Sequence, residues 1–222
     1  MDAVIKVGGS LAEDPEGLRA LCSKLSELAK KYAIIVVPGG GRFADAVRDF
    51  DQLFTLSQVI AHRMAILGMD QFGLLLTDIT PNSCAVHRLE SAKRLSEAKR
   101  VPIFLPSTLM LQEDPLENSW DVTSDSIATF VAIQSRAAKV LLVTDVDGIF
   151  TKDPKKHSDA ELIPMFESEK LLKLARRTSV DKFLPKLLLK TQIDCYVVNG
   201  KYPERLEAIL AGQETVCTRI IS

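Results

Sequence analysis

Four stretches of this chain place residues where their types and spacing suit the handling of phosphate. An apolar run at residues 3–7 carries Lys6 and ends in Gly8-Gly9-Ser10. Glycines let backbone N–H groups approach phosphate oxygens closely, and a turn from strand into helix adds the positive end of a dipole. A lysine inside an apolar strand is costly unless it faces an anion, although snorkelling to solvent would also relieve it. A second apolar run, 34–37, leads into Pro38-Gly39-Gly40-Gly41-Arg42. Three glycines in a row cost chain entropy that a plain turn does not require, and Arg42 offers a planar fork for a phosphate. The third stretch is Thr123-Ser124-Asp125 at a helix entry. Thr123 or Ser124 fits a cap and Asp125 suits the first turn, so a structural role and a chemical one are both open there. The fourth, Thr144-Asp145-Val146-Asp147-Gly148-Ile149-Phe150-Thr151-Lys152-Asp153-Pro154, follows the most apolar run of the chain, 140–144. It lacks the spacing of a calcium-binding EF-hand loop, and neither glycine run is a Walker A or a GxGxxG fingerprint.

The elements that must position these loops alternate. Apolar runs at 3–7, 34–37, 83–87, 101–105, 140–144, 195–198 and 216–221 read as strands. The 3.6-residue period predicts helices from Asp14-Pro15 to about residue 31, over 42–50, 57–76, 123–136, 167–176, 180–191 and 203–211. Strands separated by helices argue for an α/β, three-layer αβα sandwich around a mostly parallel sheet. Ligands bind beyond the carboxyl ends of the strands in such sheets, and the four loops lie there.

Composition sets the outer bounds. The 222 residues suit one domain, 1–222, with no internal repeat or linker. With 28 Lys and Arg against 29 Asp and Glu, the net charge of −1 gives no electrostatic case for nucleic acid or an anionic membrane. No run reaches the ~18 consecutive apolar residues of a membrane helix, and no secretory leader is visible, so a cytoplasmic location is expected. Cys22, Cys84, Cys195 and Cys217 are scattered, His62, His87 and His157 isolated, and neither set has metal-ligand spacing. The expectation is reduced thiols and no protein-held metal.

In their order and spacing the four loops, with Asn199-Gly200 and the final strand, resemble the amino-acid kinase superfamily over the whole chain. The resemblance implies transfer of the ATP γ-phosphoryl group to a small acid or phosphate, with Mg2+ held mainly by phosphates and water. It implies Lys6 and Asp125 as catalytic residues. It assigns Gly8, Gly9, Ser10, Gly41, Thr144, Asp145, Gly148, Phe150, Lys152 and Asp153 to the nucleotide. A second catalytic lysine of some members has Lys182 as its match in Ser179-Val180-Asp181-Lys182-Phe183, with Lys152 and Lys186 as the other candidates.

The DGIFTKDP and Val180-Asp181 stretches are similar to the uridylate-kinase branch, where the acceptor is a phosphate monoester. That branch holds a ribose with an Asp where this chain has His62, followed by Arg63. The segments PGGGRFADAVRDFD, AHRMAILGMDQFG, WDVTSDSIA and VDKFLPKLLLK resemble a subgroup that phosphorylates an aminomethylfuran phosphate in methanofuran biosynthesis. In that reading Gly39, Gly40, Arg42, His62, Arg63, Thr123 and Ser124 meet the acceptor, and Asp121 its ammonium. The alternatives are a uridylate or isopentenyl phosphate kinase, and a non-catalytic binding protein like the molybdenum storage proteins. Members of the superfamily form dimers to hexamers, so a homo-oligomer is expected, with the apolar helix 57–76 as its interface.

Overall fold

The computed structural model describes residues 1–173 and 178–221. Its centre is strand β1 (Ala3–Val7), every residue of which is buried. It pairs in parallel with β2 (Ile34–Pro38) on one side and β5 (Lys139–Thr144) on the other, with Ile5 opposite Val36 and Leu141. The sheet widens through β4 (Val101–Phe104) and β3 (Ser83–Val86) beyond β2. Beyond β5 lie β9 (Asp194–Asn199), β10 (Thr218–Ile221) and β8 (Met165–Glu167), giving the order β3-β4-β2-β1-β5-β9-β10-β8. All pairings are parallel except β9 with β10. A separate two-stranded hairpin joins β6 (Ile149–Phe150) to β7 (Leu162–Ile163), so the polar loop at 151–159 is its excursion.

A strand buried on both faces reads as a continuous apolar run, and its side chains alternate between the layers. Ala3, Ile5 and Val7 face one core, with Leu21 and Leu25 of α1 (Pro15–Lys31) and Leu206 of α9 (Glu204–Leu210). Val4 faces the other, with Ala92 of α4 (Leu89–Glu97), Ile127 and Val131 of α6 (Ser124–Ser135) and Leu184 of α8 (Leu184–Leu188). The period of two therefore sends Lys6 to the α6 side, the side that carries Asp125.

Helices α2 (Gly41–Phe54) and α3 (Gln58–Ile79) stand at the β2 end. By length and composition α3 is apolar enough to cross a membrane, with mean hydropathy 1.3 in its most apolar window. In the fold its Ile66 and Met69 join one core and its Phe72 and Leu76 the other.

Two helices escape the sequence pattern. Helix α4 offers only Leu89, Ala92 and Leu95 as periodic apolar residues. Helix α5 (Ser107–Glu113) is started from afar: Asp70 of α3 accepts from the Ser107 N–H at 3.2 Å and from the Ser107 hydroxyl. Burial pushes the Asp70 carboxyl above its usual value. Two expected helices shorten. The stretch 180–191 is helical only as α8, because Asp181 is used as a cap. The expected helix 167–176 appears as α7 (Ser168–Leu172), and residues 174–177 lie outside the described residues.

Gly73 lets α3 lie against the sheet: a Cβ there would stand 2.3 Å from Leu105 Cδ2 and 3.1 Å from Pro38 Cγ. Alanine would gain about 1 kcal/mol of helix propensity, while overpacking costs about 1–3 kcal/mol. Gly73→Ala should therefore lower the urea midpoint at constant m-value. A raised midpoint would mean that Leu105 swings aside without cost.

Candidate functional site

The site begins with a buried ion pair. Lys6 is 8% exposed and Asp125 5%, and Lys6 Nζ lies 2.8 Å from Asp125 Oδ1, off the direction of a well-aligned hydrogen bond. A lone ammonium would not survive burial, so the carboxylate is its condition. Asp125 is fixed in turn: its Oδ2 accepts from the Asp181 N–H at 3.2 Å.

Asp181 fastens two helix starts together. Its Oδ2 accepts from the Thr123 N–H and hydroxyl, both at 2.9 Å, and from the Ser126 N–H at 3.0 Å. Its Oδ1 accepts from the Ser126 hydroxyl at 2.6 Å and from the Phe183 and Leu184 N–H groups at 3.1 and 2.8 Å. These donors include N–H groups that α6 and α8 cannot satisfy internally. Burial and the neighbouring Asp125 charge push the Asp181 carboxyl up to about 6, against the six hydrogen bonds that favour its ionised form.

Beside Lys6 the glycine loops lie backbone to backbone. A Cβ on Gly9 would stand 2.1 Å from Gly41 N, and one on Gly39 2.6 Å from Gly9 N. Gly41 has φ +52° as it opens α2. The glycines thus serve close packing of the two loops as well as ligand approach. The first N–H groups of α2, a 14-residue helix, start at this junction and have no partner within the helix.

Here a cavity of about 270 Å³ opens between the 3₁₀ turn Gly9–Glu13, α2, α3 and the entry to α6. Of the expected acceptor residues it brings together Gly40, Arg42, His62, Thr123 and Ser124, with Gly9, Ser10 and Gly41. His62 is 5% exposed, and burial pushes its imidazole below the usual value. Arg63 is exposed and does not line the cavity. Asp121 and Lys182 lie outside it too, more than half exposed and paired with each other at 3.3 Å. Among the charged and aromatic lining residues, four escaped the sequence reading in this role: Glu13, Asp45, Arg48 and Trp120. Positions 42, 45 and 48 fall at helical spacing on one face of α2, a signal that the sequence did contain.

The loop after β5 is tied down on several sides. Asp145 meets Thr144 Oγ1 at 3.2 Å and the Lys155 ammonium. Burial alone would raise Asp145, but the Lys155 hydrogen bond and charge outweigh it and hold the carboxyl below its usual value. Asp147 Oδ1 accepts from Arg205 at 2.6 Å and Asn199 at 3.1 Å, linking the loop to β9 and α9. The Gly148 carbonyl accepts from Ser179 Oγ at 3.0 Å. Thr218 Oγ1 accepts from the Ile149 N–H at 2.8 Å and donates to the Ile163 carbonyl at 2.6 Å. Lys152 pairs with Asp159, and Asp153 Oδ1 accepts from the Lys155 N–H at 3.0 Å. A second hollow, about 250 Å³, runs from Asp145, Lys155 and Gly200 back to Ser10 and Glu13. No group of three or more His, Cys, Asp and Glu that could hold a metal occurs among the described residues.

The amino acid kinase family profile matches residues 1–199. The chain belongs to the amino acid kinase family. Within it, the chain is 36% identical over 219 residues to the (5-(aminomethyl)furan-3-yl)methyl phosphate kinase of Methanocaldococcus jannaschii, covering 98% of this chain and 97% of that protein. It is 27% identical to the uridylate kinase of Methanococcoides burtonii, over 97% of this chain and 93% of that one. Among solved structures, the uridylate kinase of Archaeoglobus fulgidus superposes with a TM-score of 0.76 at 22% identity, covering 99% of this chain and all of that one (100%). The UMP kinase of Ureaplasma parvum gives 0.78 at 19% identity over 100% and 99%. This amino acid kinase fold is thus an α/β sandwich of the expected type.

Asparagine at 181 keeps the shape but leaves one side of the amide without an acceptor. Several buried donors then lose their partner, at about 1–3 kcal/mol each. Asp181→Asn should therefore destabilise the fold by about 2–4 kcal/mol in urea unfolding at neutral pH. A change below about 0.5 kcal/mol would show that water replaces the carboxylate at no cost.

Proposed function

We propose that the chain is an ATP-dependent kinase whose acceptor is the phosphate of a small monoester, (5-(aminomethyl)furan-3-yl)methyl phosphate, converted to its diphosphate in methanofuran biosynthesis. The kinship over nearly the full length with the M. jannaschii enzyme named for that substrate supports the acceptor. One structural observation carries the chemistry: the buried Lys6 ammonium stands at the carboxyl end of β1, where the two glycine loops meet beside the cavity.

Phosphoryl transfer needs alignment and positive charge on the moving oxygens more than it needs covalent help. An oxygen of the acceptor phosphate forms a bond to the γ-phosphorus as the bond from the γ-phosphorus to the β,γ-bridging oxygen breaks, and ADP leaves. Lys6 supplies the charge, and Asp125 holds Lys6 in place. Arg42 and the first N–H groups of α2 hold the acceptor phosphate, with Ser10, Thr123 and Ser124 around it and His62 on the far wall. Gly8, Gly9 and Ser10 take the nucleotide phosphates. The loop at 144–153, with Lys155, takes the rest of the nucleotide. Mg2+, held mainly by phosphates and water, would offset negative charge on the phosphate oxygens. Lys182 and Asp121 would reach the reacting groups only by leaving each other.

Exposed apolar side chains on the end of α2 and the outer face of α3, Leu53, Phe54, Leu67 and Leu74 among them, support a homo-oligomer formed through these helices. Free thiols at all four cysteines favour a reducing, cytoplasmic setting.

ADP release with the furan phosphate and with UMP, in the presence of Mg2+, tests the reading. Turnover of the furan phosphate is expected, and turnover of UMP alone would overturn it. Lys6→Ala should lower kcat about 10²–10³-fold, the scale of losing one charge-stabilising donor. Unchanged activity in a folded Lys6→Ala protein would remove Lys6 from the mechanism.

A further inference from the structure

One wall of the cavity is built in an unusual way. Trp120, the single tryptophan, lines the cavity on a loop rather than on a helix or strand. Its ring is nevertheless held from two directions. The indole N–H donates to Asp51 Oδ2 at 2.8 Å. The Arg48 guanidinium lies 4.8 Å from the ring centroid, and Arg48 is itself held by Asp45 Oδ1 at 2.6 Å. Asp45, Arg48 and Asp51 are successive turns of α2, the helix whose first turn carries Arg42 beside the glycines. One helix therefore sets both the phosphate end of the cavity and the plane of the indole. From position 42 to position 48 is six residues, about 9 Å along the axis at ~1.5 Å per residue. Across the space, α3 presents Ala65, Ile66 and Met69.

A flat ring clamped by a cation and a hydrogen bond is a pre-organised surface for another flat ring, because the rotamer is already fixed before the ligand arrives. We propose that Trp120 determines the acceptor's class: a planar ring carrying a phosphomethyl arm, stacked on the indole while Arg42 and the α2 N-terminus hold the phosphate. Arg48 and Asp51 are positioning residues that act through Trp120. The assignment rests on the acceptor reading above for the location of the phosphate, but its test does not depend on turnover.

Because Trp120 is the only tryptophan, red-edge-excited emission reports this wall alone. Titration uses (5-(aminomethyl)furan-3-yl)methyl phosphate and aminopentyl phosphate, which keeps the phosphate and the ammonium but has no ring. Saturable change of emission with the furan phosphate, and weaker binding of the acyclic compound, is the expected result. Trp120→Leu should weaken furan phosphate binding about tenfold by calorimetry, and Trp120→Phe by no more than about threefold, as expected for loss or retention of one ring-ring contact. Arg48→Met and Asp51→Ala should weaken acceptor binding and leave ATP affinity unchanged. Equal binding of the two phosphates, or variants that weaken ATP and acceptor alike, would overturn the proposal and make Trp120 a strut. Emission change without turnover supports the ring surface while the kinase reading fails; turnover without emission change supports the kinase reading and overturns the ring surface.

Discussion

The rest of the structure depends on a single buried ammonium. Lys6 sits in the middle strand of the sheet, where both faces are covered, and such a charge persists only with a partner of opposite sign. Asp125 is that partner, delivered by the first turn of α6. The requirement then propagates: Asp125 takes the Asp181 N–H, and the Asp181 carboxylate gathers the starts of α6 and α8. One buried charge thus has structural consequences reaching about 180 residues along the chain. Removing either carboxylate would leave partly or fully buried polar groups without their partner.

The glycine loops show the same economy of geometry. Backbone packs on backbone so tightly that no Cβ fits at Gly9 or Gly39, and this contact lets the N-terminal turn and the α2 start share one corner. Helix α2 then works as a ruler. Its first turn lies at the junction of the glycine loops, and its later turns reach Trp120. The glycine corner and the Trp120 wall of the cavity are therefore coupled through a single rigid element.

Much of this was legible in the sequence. Continuous apolar runs marked β1, β2 and β5, and the glycines and Lys6 stood out because each is out of place for a plain strand or turn, whereas Asp125 suits a helix start and was singled out by the family resemblance. What escaped depends on contacts between distant residues. Helix α5 is capped by Asp70 across the fold, and the strands β6, β7 and β8 are too short to carry a period. Asp121, read as the partner of a substrate ammonium, faces Lys182 instead. Arg48 and Asp51 meet Trp120, about seventy residues on, in a contact that no local pattern carries.

The far edge of the sheet has a consequence in time. Strand β8 precedes β9 and β10 in the chain but pairs only with β10, and the Thr218 hydroxyl of β10 bridges Ile149 and Ile163. During synthesis, the ribosome releases the glycine loops, Lys6 and Asp125 long before the residues that hold the 144–163 segment in place. A nascent chain would therefore carry the glycine-loop corner while its 144–163 segment still lacks its anchor. That segment is tied down late, with the last strand.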